Sequence, residues 1–157
     1  MPTTTSNPTS QVTTTDDGHA RDERLHVVRR FFQLLHDKDI DTWATLWHPQ
    51  GKILVYYPAE GFPPLIEGKD QITAGFQDLI KTFRSFDTEQ MQIFPAATSD
   101  AVCVQYRPRA VLVDGATYTN DNVAIFRFQD GLIREYHDYF DPRRFQLVVD
   151  ALLARKS

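Results

Sequence analysis

The chain has 157 residues, a hydrophobic share of 41%, a charged share of 24% and a formal net charge of −4. These values fit one globular domain with a sizeable core, and they argue against a nucleic-acid surface, which needs a basic patch. A single cysteine, Cys103, excludes an internal disulfide, and no stretch is apolar for long enough to span a bilayer. Residues 1–20 are rich in Thr, Ser and Pro and lack a signal peptide's apolar core. They are expected to form a disordered tail on a cytoplasmic protein, with residues 21–157 as its one domain.

From Asp22 to His36, Leu25, Val28, Phe32 and Leu35 recur at helical spacing, which predicts an amphipathic helix. DKDID breaks it, and Asp39 or Asp41 can cap a short second helix through Trp47, ended by Pro49 and Gly51. KILVYY is strand-like, and PAEGFPP is a loop. GKDQITAGFQDLIKTF reads as a third helix, with Ile72, Phe76, Leu79 and Phe83 on one stripe. Strands follow: Phe86 to Phe94, then Ala101 to Val113, where Pro108 demands an edge or a bulge. Asp114-Gly115 turns the chain into a strand from Tyr118 to Phe128. Asp130-Gly131 is a hairpin signal before the last strand, Leu132 to Phe140. Asp141-Pro142 stops that strand, and a helix runs to about Leu153. Helices first and an antiparallel meander after them define an α+β fold: a cone-shaped curved antiparallel sheet with N-terminal helices on its concave face. Such a sheet leaves a conical cavity suited to a small hydrophobic molecule.

The last strand holds Asp138 among Tyr136, Tyr139 and Phe140. A carboxylate among rings is either a solvated strand-end cap or a buried group whose pKa rises toward the range of proton transfer. A regular two-residue hairpin puts Asp138 opposite Val123 and Tyr136 opposite Ile125. Ala124, Phe126, Ile133 and His137 then take the other face, and a bulge would reverse this parity. Tyr106 alternates with Arg107, and Tyr56 with Tyr57, so only one of each pair can look inward. Trp43 and Trp47 are four residues apart, a spacing for core packing that also walls a cavity mouth. The sequence contains no HxH, HExxH, CxxC, Ser elbow or Gly-rich phosphate loop. Chemistry without metal or cofactor is therefore the expectation.

IEGKDQI at the third helix and FRFQDGLIREYHDYFDPRRF at the end carry a further signal. With the element order, they resemble the nuclear-transport-factor-2-like superfamily. Within it, the chain is similar to SnoaL-like polyketide cyclases, phenazine-biosynthesis A/B-type proteins and limonene-1,2-epoxide hydrolase. The resemblance spans about Leu25 to Leu153. It implies an inward acidic residue on the last strand, which falls on Asp138. The epoxide hydrolase's Arg and Asp match Gln105 and Arg107 here, and the phenazine-type His and Ser match Gly75 and Leu79.

The expected site therefore has Asp138 as proton-transfer group and Arg107 as its electrostatic partner. Tyr136, Gln105, Tyr57, Trp43, Val123 and Ile125 are expected to contact substrate. The expected function is a cofactor-independent cyclase or isomerase of a small natural-product-like molecule. The alternatives are an epoxide-opening enzyme and a non-catalytic binding or assembly module. A homodimer through the sheet face away from the pocket is also expected, because both faces of the closing hairpin carry apolar groups.

Overall fold

The computed structural model describes residues 13–156. The first helix, α1, runs Thr13–His36, so it starts earlier than the sequence pattern suggests. The expected disordered tail is thus helical from Thr13 onward, and its first twelve residues lie outside the described residues. Val28, Phe31, Phe32, Leu34 and Leu35 form the buried stripe of α1. Lys38 ends the helix in the left-handed region at φ 59°. Its N–H bonds to Leu35 O at 3.1 Å and the Asp39 N–H to Leu34 O at 3.0 Å, which closes the last turn. Asp39 then caps α2 (Ile40–Ala44) by accepting the Thr42 N–H at 3.1 Å.

The second helix stops at Ala44, and Trp47 opens a strand instead: β1 spans Trp47–Val55. The pairing of β1 slips between Trp47 and Lys52, and this irregularity is what Pro49 and Gly51 mark. A Cβ at Gly51 would lie 2.7 Å from the Trp47 ring, so the glycine makes room for a fully buried indole. A short strand, β2 (Leu65–Glu67), follows the loop, and then comes α3 (Lys69–Lys81). The long meander consists of β3 (Phe83–Pro95), β4 (Val102–Leu112), β5 (Thr117–Thr119), β6 (Asn122–Gln129) and β7 (Leu132–Tyr139). The closing helix α4 spans Pro142–Lys156.

The sheet order is β2-β1-β7-β6-β4-β3, with β5 added on β4. All pairs are antiparallel except β1 with β7, so the curved sheet is mixed rather than wholly antiparallel. No hairpin links β1 to β7, and the long connection between them permits the parallel match. The expected single strand from Tyr118 to Phe128 is cut at Asn120-Asp121 into β5 and β6. Pro108 sits in β4 opposite this cut, where the adjoining ladder is interrupted. Its carbonyl accepts the Asn120 N–H at 3.4 Å. A proline thus fits mid-strand without removing a needed donor.

The Asp130-Gly131 turn has φ 54° and 75° at its two residues, the left-handed pair that a two-residue hairpin requires. It pairs Gln129 with Leu132 and Phe128 with Ile133. Beyond them the register shifts, and Arg127 meets Glu135, which leaves Arg134 as an extra residue. Ile133 and Tyr136 therefore both face the core, three residues apart. The α1 helix lies across this face through Phe31, whose ring centroid is 5.0 Å from Phe126, 5.1 Å from Tyr136 and 5.3 Å from Trp43.

Candidate active site

Between the sheet and the helices lies a cavity of about 70 Å³. Its walls are mostly aromatic, with Phe31 from α1, Phe76 from α3, Phe83 and Phe86 from β3, and Phe145 from α4 among them. It is smaller than the roughly 300–1,000 Å³ of drug-sized sites, so it suits a small ligand as it stands. Phe62, Phe140 and Phe145 form one aromatic cluster of the wall, with Phe145 4.7 Å from Phe140 and 5.2 Å from Phe62.

Five side chains give this apolar space its polarity: Asp138 and Tyr136 from β7, Tyr106 from β4, Tyr118 from β5 and Asn122 from β6. The register explains their convergence. The bulge at Arg134 turns Asp138 to the face of Ala124, its actual cross-strand partner, and Tyr106 pairs with Asn122 on the same face. The Tyr106 and Tyr136 hydroxyls hydrogen-bond at 3.2 Å, and Asn122 Nδ2 donates to the Tyr106 hydroxyl at 3.3 Å.

Asp138 is partly buried as a residue, but its Oδ1 is shielded from solvent and has no hydrogen-bond partner. Desolvation pushes its carboxyl pKa up to about 7. Burial raises the pKa of Tyr106, Tyr118 and Tyr136, and the charge of Asp138 adds to it in each case. These phenols therefore remain protonated and act as hydrogen-bond donors. The cavity is thus built for one titrating group near neutrality, surrounded by neutral donors.

Of the residues expected from sequence, Asp138 and Tyr136 line the cavity. Arg107 does not. It lies on the outer face and forms an ion pair with Asp121 at 2.9 Å, because the inward position of β4 belongs to Tyr106. Gln105 shares that outer face and is exposed. Val123 and Ile125 also point away, since the bulge at Arg134 reverses the parity assumed for a regular hairpin. Tyr57 is 65% exposed beyond the end of β1. Trp43 is wholly buried but stands behind the wall, stacked on Phe76 with ring centroids 4.4 Å apart. Arg107→Ala should accordingly leave turnover within about twofold and change stability by at most about 1 kcal/mol, as for a surface ion pair. Steady-state rates and urea midpoints check this, and a tenfold loss of activity would restore Arg107 to the site.

Tyr118 and Asn122 are polar wall residues that the sequence did not single out, and Tyr106 was raised only as the alternative to Arg107. Tyr106 was legible by parity, since Val102 and Val104 precede it at inward spacing. Tyr118 and Asn122 flank the strand break at Asn120-Asp121, whose turn-forming run Thr119-Asn120-Asp121-Asn122 was overlooked. Among the described residues, no three His, Cys, Asp or Glu side chains gather as a metal site. No described helix is long and apolar enough to cross a membrane.

The fold and the cavity define an α+β protein of the nuclear-transport-factor-2-like type, with its pocket between helices and a curved sheet. The SnoaL-like domain family matches residues 28–136, and the chain belongs to that family. A Pseudomonas aeruginosa relative, the uncharacterized PhzA/B-like protein PA3332, is 26% identical over 127 residues, covering 80% of this chain and 86% of its own. A Bacillus subtilis structure provisionally named an isomerase superposes with a TM-score of 0.75 at 24% identity, covering 84% of this chain and 96% of its own. A Xanthomonas campestris structure provisionally named a polyketide cyclase has a TM-score of 0.70 at 16% identity, covering 83% and 98%. At such identities the structural likenesses concern the fold alone.

Proposed function

We propose that the protein is a cofactor-independent cyclase or isomerase of a small, largely apolar molecule, with Asp138 as its proton-transfer group. The observation that carries this reading is the unpaired Asp138 carboxyl on an aromatic wall, with its pKa raised to about 7. A carboxylate so placed can take a proton from carbon or oxygen next to a carbonyl and return it elsewhere on the same molecule. Such help is worth on the order of 10²–10⁴-fold in rate. The neutral tyrosines can steady the developing oxyanion. Epoxide hydrolysis is the weaker reading. Asp138 is the only carboxylate among the described residues lining the cavity, so a second acid or base for activating water is missing there.

Deuterium uptake from heavy water tests the reading before any product is known. The protein should accelerate exchange of the hydrogens beside the carbonyl in at least some small cyclic ketones or β-diketones, followed by proton NMR. No acceleration across such a set would sink the proposal.

The uncovered sheet face supports a homodimer. Tyr56 is 49% exposed and stacks on Tyr139 at 5.2 Å, and Phe94 at the far edge is 50% exposed. Val123 and Ile125 lie between them on the outward side of β6. Burying this strip against a second copy would remove a continuous apolar band from water. Light scattering at micromolar concentration should give twice the chain mass, and a monomer throughout would rule the dimer out.

A further inference from the structure

Asn120 is 1% exposed and uses its whole side-chain amide. Its Oδ1 accepts the backbone N–H groups of Asp121 at 2.9 Å and Asp141 at 3.2 Å. Its Nδ2 donates to Asp141 O at 3.0 Å and to the Tyr118 hydroxyl at 2.9 Å. Two backbone donors fix the carbonyl end, so the amide can present only N–H to Tyr118. The Tyr118 oxygen is therefore an acceptor in that bond, and its own hydrogen must go elsewhere. No described residue accepts it. Tyr118 is 3% exposed and forms part of the cavity wall, so bulk water has little access to its hydroxyl. A buried donor without an acceptor is destabilising, and it marks a place that a ligand atom can fill.

Tyr106 and Tyr136 also leave one hydroxyl hydrogen over, but not at a fixed hydroxyl. Either hydroxyl can donate in their mutual bond, so neither is committed. On the same cavity wall, close enough for its charge to act on Tyr118, Asp138 has an Oδ1 that lacks a donor, as Tyr118 lacks an acceptor.

We infer that Tyr118 is a hydrogen-bond donor aimed at the ligand, that Asn120 is the positioning residue which holds it to that role, and that the ligand presents a carbonyl or enolate-type oxygen there. This rests on the reading of the cavity as the substrate site, and it assigns opposite jobs to two strands. Tyr118 on β5 holds the oxygen, while Asp138 on β7 handles the proton.

The test is binding rather than turnover, so it stands or falls separately from proton transfer by Asp138. The probe is 4-nitrophenol at a pH where the free phenol is ionised, with nitrobenzene as the control that lacks the phenolate oxygen. The host is Asp138→Asn, which removes the repelling charge. Adding Tyr118→Phe should weaken phenolate binding by roughly 10- to 100-fold, the worth of a hydrogen bond to a charged group. Nitrobenzene binding should stay within about twofold, and the band of the bound phenolate should move to longer wavelength. Asn120→Asp should give the same selective loss. Its carboxylate still accepts the Asp121 and Asp141 N–H groups and draws the Tyr118 hydrogen to itself, at the loss of the bond to the Asp141 carbonyl. Tyr118→Phe removes one atom and decides the matter if Asn120→Asp does not fold. Unchanged phenolate affinity in Tyr118→Phe, an equal loss for both probes, or no phenolate binding by the host would overturn the inference. Retained phenolate affinity in a folded Asn120→Asp protein would remove Asn120 from it.

Discussion

Asp138→Asn is expected to lower turnover by about 10²-fold or more while leaving ligand affinity largely intact. Asparagine keeps the shape and polarity of the side chain but cannot accept a proton at working pH. The remaining wall, with Tyr106, Tyr118, Tyr136 and Asn122, is unchanged, so binding and orientation survive. In the parent protein the rate should rise with pH through the region near 7, where the Asp138 carboxyl ionises into its basic form. That rise should be absent in Asp138→Asn. Single-turnover rates against pH check both statements, and activity near that of the parent protein would remove the mechanism.

The same substitution should stabilise the fold, and the gain should depend on pH. The Asp138 pKa is about 7 in the folded chain against an ordinary 3.8, so the folded state binds this proton more tightly than the unfolded one. Below 3.8 both states are protonated and Asp138 imposes no penalty. As pH rises toward 7 the unfolded chain ionises first, and stability falls. Above 7 the penalty is complete, at most about 4 kcal/mol and less where water in the cavity solvates the ion. Asp138→Asn should therefore be about as stable as the parent protein near pH 4 and more stable by roughly 2–4 kcal/mol at pH 8. Urea unfolding at a series of pH values reads this directly, and parallel curves for the two proteins would show that Asp138 is not desolvated.

The elements whose signals are local were legible. Helical spacing from Leu25 to Leu35 and the Asp130-Gly131 turn were each sufficient for their element. Asp138 was reachable from its ring-rich neighbourhood together with the resemblance of the closing string. The missed break at Asn120 had a local signal in Thr119-Asn120-Asp121-Asn122, but the other misreadings come from non-local causes. The Trp43–Trp47 spacing looks helical, yet burial of Trp47 against Gly51 draws it into β1. The cut at Asn120 is further held by a partner twenty-one positions away, at Asp141. A single extra residue, Arg134, reverses the faces of β7, so Val123 and Ile125 exchange places with Asn122 and Ala124. Alternation gives which residues share a face, but a bulge sets which face is inside.

The central claim is that Asp138 is a desolvated acid–base group inside the cavity. The most direct measurement is the pH titration of its carboxyl carbon by NMR in protein labelled at aspartate, with Asp138→Asn supplying the assignment. The midpoint should lie near 7, well above that of the surface carboxylates. A midpoint at the ordinary value of 3.8 would contradict the account.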